Sequence, residues 1–443
     1  MLAAVARQSG ATVQLADFAV DRDLPQRFES LLKEFDPGLV GFSCMTQDIH
    51  AAAQMAAVVK KVLPEAVTLA GGIHPSVLPV RTLEEFSSFD MCVAGEGEQT
   101  LSEIVDALRQ DAPLVGIMGT VWRDGEQIIC EQPRPPVTDL DLLPLPARDL
   151  APMESYLGRT STPGVAGSIL RVGTLFTARG CPYSCIFCSG SVICGKKPRN
   201  VPIEILREEI NQLVDKYGVG HITIKDDTFT FDTERTLEVG KILADAKVTW
   251  DCKTRINHSD PMLLREMKVQ GCNRVHYGVE SGSDRILKLI SKGTTVAQVE
   301  EAFAHSKQEG YERTAYFIIG SHPSETFEEF EQSRALCKKI KPEYAVFSVI
   351  VPYPGTEIYR IMKEKGLIFS EDWRRYNPFV QVPAWRTDNF SPEQLMGMQK
   401  KAMTGIYLSS YFIASKLKTL RQPSAWGYWA RSAWDFLKYR NTR

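Results

Sequence analysis

The chain has 443 residues, 44% of them hydrophobic and 24% charged, a globular composition with too much apolar material for disorder. Lys and Arg number 52 against 54 acids, so no global field advertises nucleic acid as a partner. No apolar run approaches the ~18–20 residues of a membrane span, no signal peptide opens the chain, and ten cysteines are too few for a disulfide scaffold; reduced thiols and a cytoplasmic location are expected.

Short apolar runs at 12–18, 39–45, 66–72 and 90–95 read as strands, and 23–36, 48–63 and 98–109 carry apolar residues at helical spacing. This alternation predicts a Rossmann-like, doubly wound parallel sheet over 1–112, with ligands bound beyond the carboxyl ends of its strands. The chain opens inside a helical pattern, so the strand that should come first is missing. In a 2-1-3-4-5 sheet that strand is internal, and the domain's own start is expected upstream of Met1.

Residues 113–165 read as a connector, with an Asp124-Gly125 hairpin signal followed by proline-stiffened chain at 133–136 and 143–147. Strand–helix alternation resumes over 166–365. Runs at 169–178, 221–227, 248–255, 274–280, 313–320 and 344–352 predict six βα units, a partial (β/α)6 TIM-like barrel with its chemistry at the strand carboxyl ends. A helical region of different composition fills 366–443.

The sharpest local signal is Arg-Gly-Cys-Pro-Tyr-Ser-Cys-Ile-Phe-Cys, which spaces Cys181, Cys185 and Cys188 as C-x3-C-x2-C. Three thiolates on one loop can hold three corners of a [4Fe–4S] cluster and leave the fourth iron open. Structural zinc wants four protein ligands, commonly two separated C-x-x-C pairs, and only one such pair is here.

With that motif at the end of the first barrel strand, residues 169 to about 360 resemble the radical S-adenosylmethionine (SAM) superfamily. The resemblance implies that SAM chelates the open iron and is cleaved by one electron to methionine and a 5′-deoxyadenosyl radical. It also implies roles at successive strand ends. Phe187 would pack near the adenine, and Asp226 or Asp227 would take the methionine amino group. Arg255 would face the SAM carboxylate, Glu280 and Ser281 would lie near the ribose, and Ile318 and Gly320 would offer backbone to the adenine. Residues 320–326 depart from the family's usual Gly-Leu-Pro-Gly-like turn. They include His322, either structural or a candidate for proton transfer.

The first domain resembles the cobalamin (B12)-binding modules found ahead of such barrels. Ser43, Thr46, Gly71, Gly72, His74, Gly95, Glu96 and Gly97 sit at strand carboxyl ends, where glycines let a bulky corrin approach the backbone. Residues 17–21 lack the histidine of the Asp-x-His-x-x-Gly loop, so no cobalt ligand is expected from them. The remaining cysteines are expected to be scattered thiols, Cys194 lying nearest the cluster loop.

Residues 401–443 carry eight Lys or Arg against Asp435 alone, interleaved with aromatics such as Trp426, Trp429 and Trp434. A helix on an anionic membrane surface and a tail docked on the barrel both fit; nucleic-acid contact is not expected. The layout resembles the group containing anaerobic magnesium-protoporphyrin ester cyclase and cobalamin-dependent radical SAM methyltransferases. This implies methylation of an unactivated carbon, with cobalamin-dependent oxidation or cyclisation, or a non-catalytic sensor, as alternatives. A small-molecule, lipid or tetrapyrrole substrate is implied, with a flavodoxin or ferredoxin as electron donor.

Overall fold

The computed structural model describes residues 1–157, 170–377 and 382–419. In the first half, α1 (Leu2–Gln8) and α2 (Leu24–Phe35) precede β1 (Leu39–Ser43). Then come α3 (Ile49–Val62), β2 (Val67–Gly71), α4 (Ile73–Val77), α5 (Pro79–Glu85), β3 (Met91–Val93) and α6 (Glu98–Arg109), followed by the hairpin β4 (Thr120–Asp124) and β5 (Gln127–Cys130). β1, β2 and β3 are parallel neighbours, and the hairpin continues the sheet antiparallel from β3. Alternate side chains go to opposite faces. Leu69, Met91 and Val93 pack with Ile104 of α6, whereas Ala70 and Cys92 join Ile49, Ala53 and Leu83 on the other side. Helices therefore cover both faces, as a doubly wound sheet requires.

The expected strand at 12–18 is not formed. Residues 11–17 are irregular, because a strand needs a neighbouring backbone and the edge of β1 away from β2 carries none among the described residues.

After α7 (Met153–Leu157), the second half runs β6 (Arg171–Leu175), β7 (Ala178–Arg179), α8 (Gly190–Ile193), β8 (Arg199–Asn200), α9 (Ile203–Asn211), β9 (Val219–Ile224), α10 (Thr233–Asp245) and β10 (Thr249–Thr254). It continues through α11 (Pro261–Val269), β11 (Cys272–Glu280), α12 (Asp284–Leu289), α13 (Val296–Gln308), β12 (Glu312–Ile319), α14 (Phe327–Ile340), β13 (Tyr344–Val349) and α15 (Glu357–Glu364). The long strands form one parallel sheet in the order β6-β9-β10-β11-β12-β13, each beside its predecessor in the chain: an open six-unit barrel. Ile222, Ile224, Trp250, Cys252, Val275 and Tyr277 are buried beneath the helices, and Phe317 stacks on Phe347 at 4.4 Å. Capping boxes at Thr295/Gln298 and Thr326/Glu329 fix where α13 and α14 start, close to the strand ends that carry the site.

The segment after α15 ties the two halves together. Trp373, Tyr376 and Trp385 are fully buried; Trp373 Nε1 donates to Glu85 Oε2 at 2.6 Å and Arg81 pairs with Glu371 at 2.8 Å. α16 (Pro392–Tyr407) packs on β13, where Gln399 donates to the Phe347 carbonyl at 2.9 Å, and α17 (Ser410–Thr419) follows. Lys401 pairs with Glu331 at 3.0 Å. The basic, tryptophan-bearing stretch 420–443 lies outside the described residues. Among those described, no helix is long and apolar enough to cross a membrane.

Candidate active site

The cysteine loop leaves the barrel after β6 and is closed at its neck by the antiparallel pair β7–β8, Ala178 opposite Asn200 and Arg179 opposite Arg199. Gly180 makes this neck possible: its φ is +92°, and a Cβ there would stand 2.6 Å from the Lys197 carbonyl oxygen. Each of the three sulfurs has a polar neighbour. Arg255 Nη1 donates to Cys185 Sγ at 3.3 Å, the Gly190 N–H donates to Cys188 Sγ at 3.4 Å, and the Thr228 hydroxyl lies 3.8 Å from Cys181 Sγ. Burial raises the Cys188 thiol, and the proximity of Asp227, Cys185 and Cys181 adds to that rise. Yet no group of three or more His, Cys, Asp or Glu among the described residues converges on a single-ion site. Three thiols carried on one short loop are the donor set that a cluster with one thiolate per corner takes.

Arg255 is nine-tenths buried and belongs to this loop's support. Its guanidinium lies 3.6 Å over the Tyr183 ring and also donates to the Lys292 carbonyl, so it braces the cluster loop where a free SAM carboxylate partner was expected. Phe187 packs on Ile286, Leu287 and Ile290.

The two aspartates after β9 divide. Asp226 is buried and accepts the Thr177 N–H at 2.7 Å as well as the Thr177 hydroxyl; burial pushes its carboxyl up to about 6. Asp227 is exposed and faces the cluster loop, its Oδ2 3.0 Å from where a Cβ on Gly190 would stand. Asp227 is thus the carboxylate free to meet a ligand. Glu280 (φ +67°) pairs with Lys292 at 2.6 Å, and Ser281 is fully buried, accepting the Ser283 N–H at 3.1 Å. Ile318 is half-buried on β12, and Gly320 (φ +70°) turns the chain where a Cβ would crowd Thr387 and Leu395. His322 bonds only within its own turn, to Ser324 Oγ at 2.9 Å and the Ser324 N–H at 3.2 Å, which favours the structural role.

On the other side, Ser43, Gly71, Gly72, Gly95 and Gly97 line a cavity of about 570 Å³ whose far wall includes Thr174, Phe176, Cys194, Asp226 and Asp227. The glycine-rich ends of the first sheet and the mouth of the barrel therefore open into one space. Gly72 (φ +93°) has no room for a Cβ, which would lie 2.9 Å from Cys44 backbone; Gly95 (φ +82°) faces open space. That backbone cradle fits a large flat ligand.

Two of the residues expected at cobalamin lie off the cavity, and a third lines it with its carboxylate already paired. His74 is fully buried, does not line the cavity, and meets Trp373 edge-on at 5.1 Å; burial pushes its imidazole down to about 4. Thr46 is buried and also off the cavity wall. Glu96 lines the cavity, but its carboxylate is spent: Arg199 binds both oxygens at 2.7 and 2.8 Å, the Val137 N–H donates at 2.7 Å and Arg179 lies at 3.2 Å. Burial opposes the Glu96 charge, yet the Arg199 bonds and the other donors hold its carboxyl below the ordinary range. With Glu98 on Arg179 at 2.7 Å, the loop after β3 grips both strands at the neck of the cysteine loop. The sequence offered no signal for this clamp beyond two arginines flanking the motif.

The radical SAM superfamily model matches residues 175–337 and the B12-binding domain model matches residues 1–105. An uncharacterized methyltransferase of Pyrococcus horikoshii, PH0819, is 34% identical over 85% of this chain and 80% of its own length. Anaerobic magnesium-protoporphyrin IX monomethyl ester cyclase of Cereibacter sphaeroides is 28% identical over 80% of this chain and 57% of its own. The fold is shared with the radical SAM methyltransferase TsrM of Kitasatospora setae, solved with cobalamin and a [4Fe–4S] cluster (TM-score 0.69, 16% identity, 92% of this chain and 84% of that one). The chain belongs to the cobalamin-binding radical SAM enzymes, whose cofactors are a [4Fe–4S] cluster, SAM and cobalamin.

Proposed function

We propose that this enzyme methylates a carbon of a small molecule. The observation that carries the reading is the single cavity shared by the glycine-rich sheet ends and the barrel mouth, because methyl transfer needs both cofactor sites to reach one substrate. When bound, the cluster and SAM supply a carbon radical and cobalamin supplies a transferable methyl group.

The chain's own residues hold and shield. Cys181, Cys185 and Cys188 are the proposed cluster ligands, with Arg255 stacked on Tyr183 to fix the loop. Asp227 is the proposed acceptor for the SAM amino group, and Asp226 shapes its turn by holding Thr177. Gly71, Gly72, Gly95 and Gly97 are the proposed corrin cradle. Leu140, Leu143 and Pro144 of the connector give that cavity an apolar side wall. Each methylated product would consume two SAM, one giving S-adenosylhomocysteine and the other methionine and 5′-deoxyadenosine, and two electrons, one for SAM cleavage and one to restore reduced cobalamin; a flavodoxin or ferredoxin is the proposed donor.

Anaerobic turnover of the reconstituted enzyme with an extract that contains the substrate should release S-adenosylhomocysteine together with 5′-deoxyadenosine, and Cys185→Ala should release neither. 5′-Deoxyadenosine alone would point to oxidation or cyclisation, and undiminished product from Cys185→Ala would defeat the radical reading altogether.

A further inference from the structure

The inner wall of the barrel carries charge that nothing described so far uses. On β9 and β10 the inward face is read from contacts: His221 Nε2 and Thr223 Oγ1 both reach Asp251 Oδ2, at 2.9 and 3.2 Å, and His276 Nε2 of β11 lies 3.4 Å from Asp251 Oδ1. Side chains two residues further along each strand share that face. The ladder pairs Leu175 and Cys252 with Ile224 on either side, so one step further it sets Phe176, Lys225 and Lys253 in a row, and Lys253 is in register with His276. The Lys225 N–H still donates to the Leu175 carbonyl at 2.8 Å, so the row is held by backbone.

The two ammonium groups on this row lack counter-ions. Neither the Lys225 nor the Lys253 ammonium makes a hydrogen bond or ion pair with any described residue, although most other inward charges are paired. Asp251 attracts Lys225 from beyond ion-pair distance. Burial alone would raise its carboxyl, but the hydrogen bonds from His221 and His276 outweigh it and hold the group far below the usual range. Asp227 attracts Lys253 from beyond ion-pair distance. Like charges side by side on adjacent strands repel, and burial followed by Lys253 lowers the Lys225 ammonium. On the same row His276 leaves Nδ1 buried with no partner, its ring stacked on Tyr316. Phe176 stands 60% exposed at the other end.

We infer that Lys225 and Lys253 form an anion subsite inside the barrel that holds a carboxylate or phosphate of the substrate. Phe176 supplies an apolar wall beside it and His276 Nδ1 a further polar contact. This rests on the proposed function, with the substrate reaching from the cavity that Phe176 lines along this row, and it narrows the substrate class to small molecules bearing an anionic group. An ammonium pair with no protein anion in direct contact can be neutralised by a ligand, which also fixes the ligand's orientation below the cluster loop.

The test is calorimetric titration of the enzyme reconstituted with cluster and cobalamin, at physiological ionic strength, with inorganic pyrophosphate and separately with SAM. Wild type should bind pyrophosphate. Lys225→Met and Lys253→Met should each weaken that binding at least about tenfold while SAM affinity and iron content hold, and Lys253→Arg should restore it. Pyrophosphate that fails to bind wild type, or binds both methionine variants equally well, overturns the subsite. Loss of SAM affinity in parallel with pyrophosphate would assign the lysines to the carboxylate of SAM and overturn the substrate reading. Failure of the broader function shows elsewhere, as absence of 5′-deoxyadenosine from wild type.

Discussion

Glu96 separates two readings of the same motif, a corrin contact or a clamp between domains. In Glu96→Gln the amide keeps one acceptor oxygen but turns an NH2 toward donors, so Arg199, 7% exposed, loses its charged bidentate partner and keeps neutral acceptors alone, one amide oxygen and the Val137 and Cys194 carbonyls. Breaking a buried pair from one side costs about 3–5 kcal/mol. Arg179 retains Glu98, which places the loss near the lower end, about 3 kcal/mol. Local opening of the cysteine-loop neck should then be roughly a hundredfold more frequent, since each 1.4 kcal/mol is about tenfold. Hydrogen exchange should show that loss of protection at 178–200 and 94–98, with cobalamin affinity unchanged within about twofold. Cobalamin affinity that falls while 178–200 keeps its protection would refute the clamp and restore Glu96 to the corrin. The same clamp predicts a pH dependence. Because the folded carboxyl titrates below its unfolded value, its stabilisation is complete above the ordinary glutamate range and is lost only as pH falls through the depressed value.

Asp227→Asn should cut 5′-deoxyadenosine formation by roughly ten- to a hundredfold, the worth of a charge-assisted hydrogen bond, whereas Asp226→Asn should keep most of it because an amide can still accept from Thr177; the reverse ranking would exchange their roles. Asp226 also has a sign in stability. Its folded carboxyl, raised to about 6, destabilises the fold as pH climbs from the unfolded value to 6, and Asp226→Asn should flatten that limb in denaturant titrations. Gly180→Ala forces a Cβ to 2.6 Å from the Lys197 carbonyl at a φ of +92°, so iron bound per chain should fall sharply while far-ultraviolet circular dichroism stays constant. Full iron content would show that the neck of the loop tolerates opening.

What the sequence disclosed, it disclosed locally. The six barrel strands are legible because buried runs such as 272–280 and 312–319 recur between helical spacings, and the cysteine motif because its three thiols, the proposed cluster ligands, sit within eight residues. The cradle glycines follow the same logic, since a positive φ at Gly72 or Gly95 is a property of one residue. Partnership across the chain was not legible. Glu96 stands at a strand end like a ligand contact, and only the fold brings Arg199 to it across 103 residues. His74 follows two glycines and looks like a site, but Trp373 arrives from the far end of the chain to cover it. The run at 12–18 has strand composition, yet a strand is made by its neighbour, and none lies beside it among the described residues.

Those long-range partners also explain how two domains can share one site. A cavity between separately folding units would ordinarily breathe, because interfaces of this kind permit relative motion unless they are large and apolar. Here the joint is held at two points on either side of the cavity. One is the Glu96/Glu98 grip on Arg179 and Arg199; the other is the buried Trp373–Tyr376–Trp385 cluster, its rings tilted against one another and anchored to α5 through Glu85 and Arg81. The first point lies on the cysteine loop itself, so any rotation of the glycine-rich sheet away from the barrel must pull on the residues that would carry the cluster. The distance between the two proposed cofactor sites would therefore be set by ion pairs and aromatic packing outside both of them, with Arg199 and Trp373 holding it from outside the cavity wall.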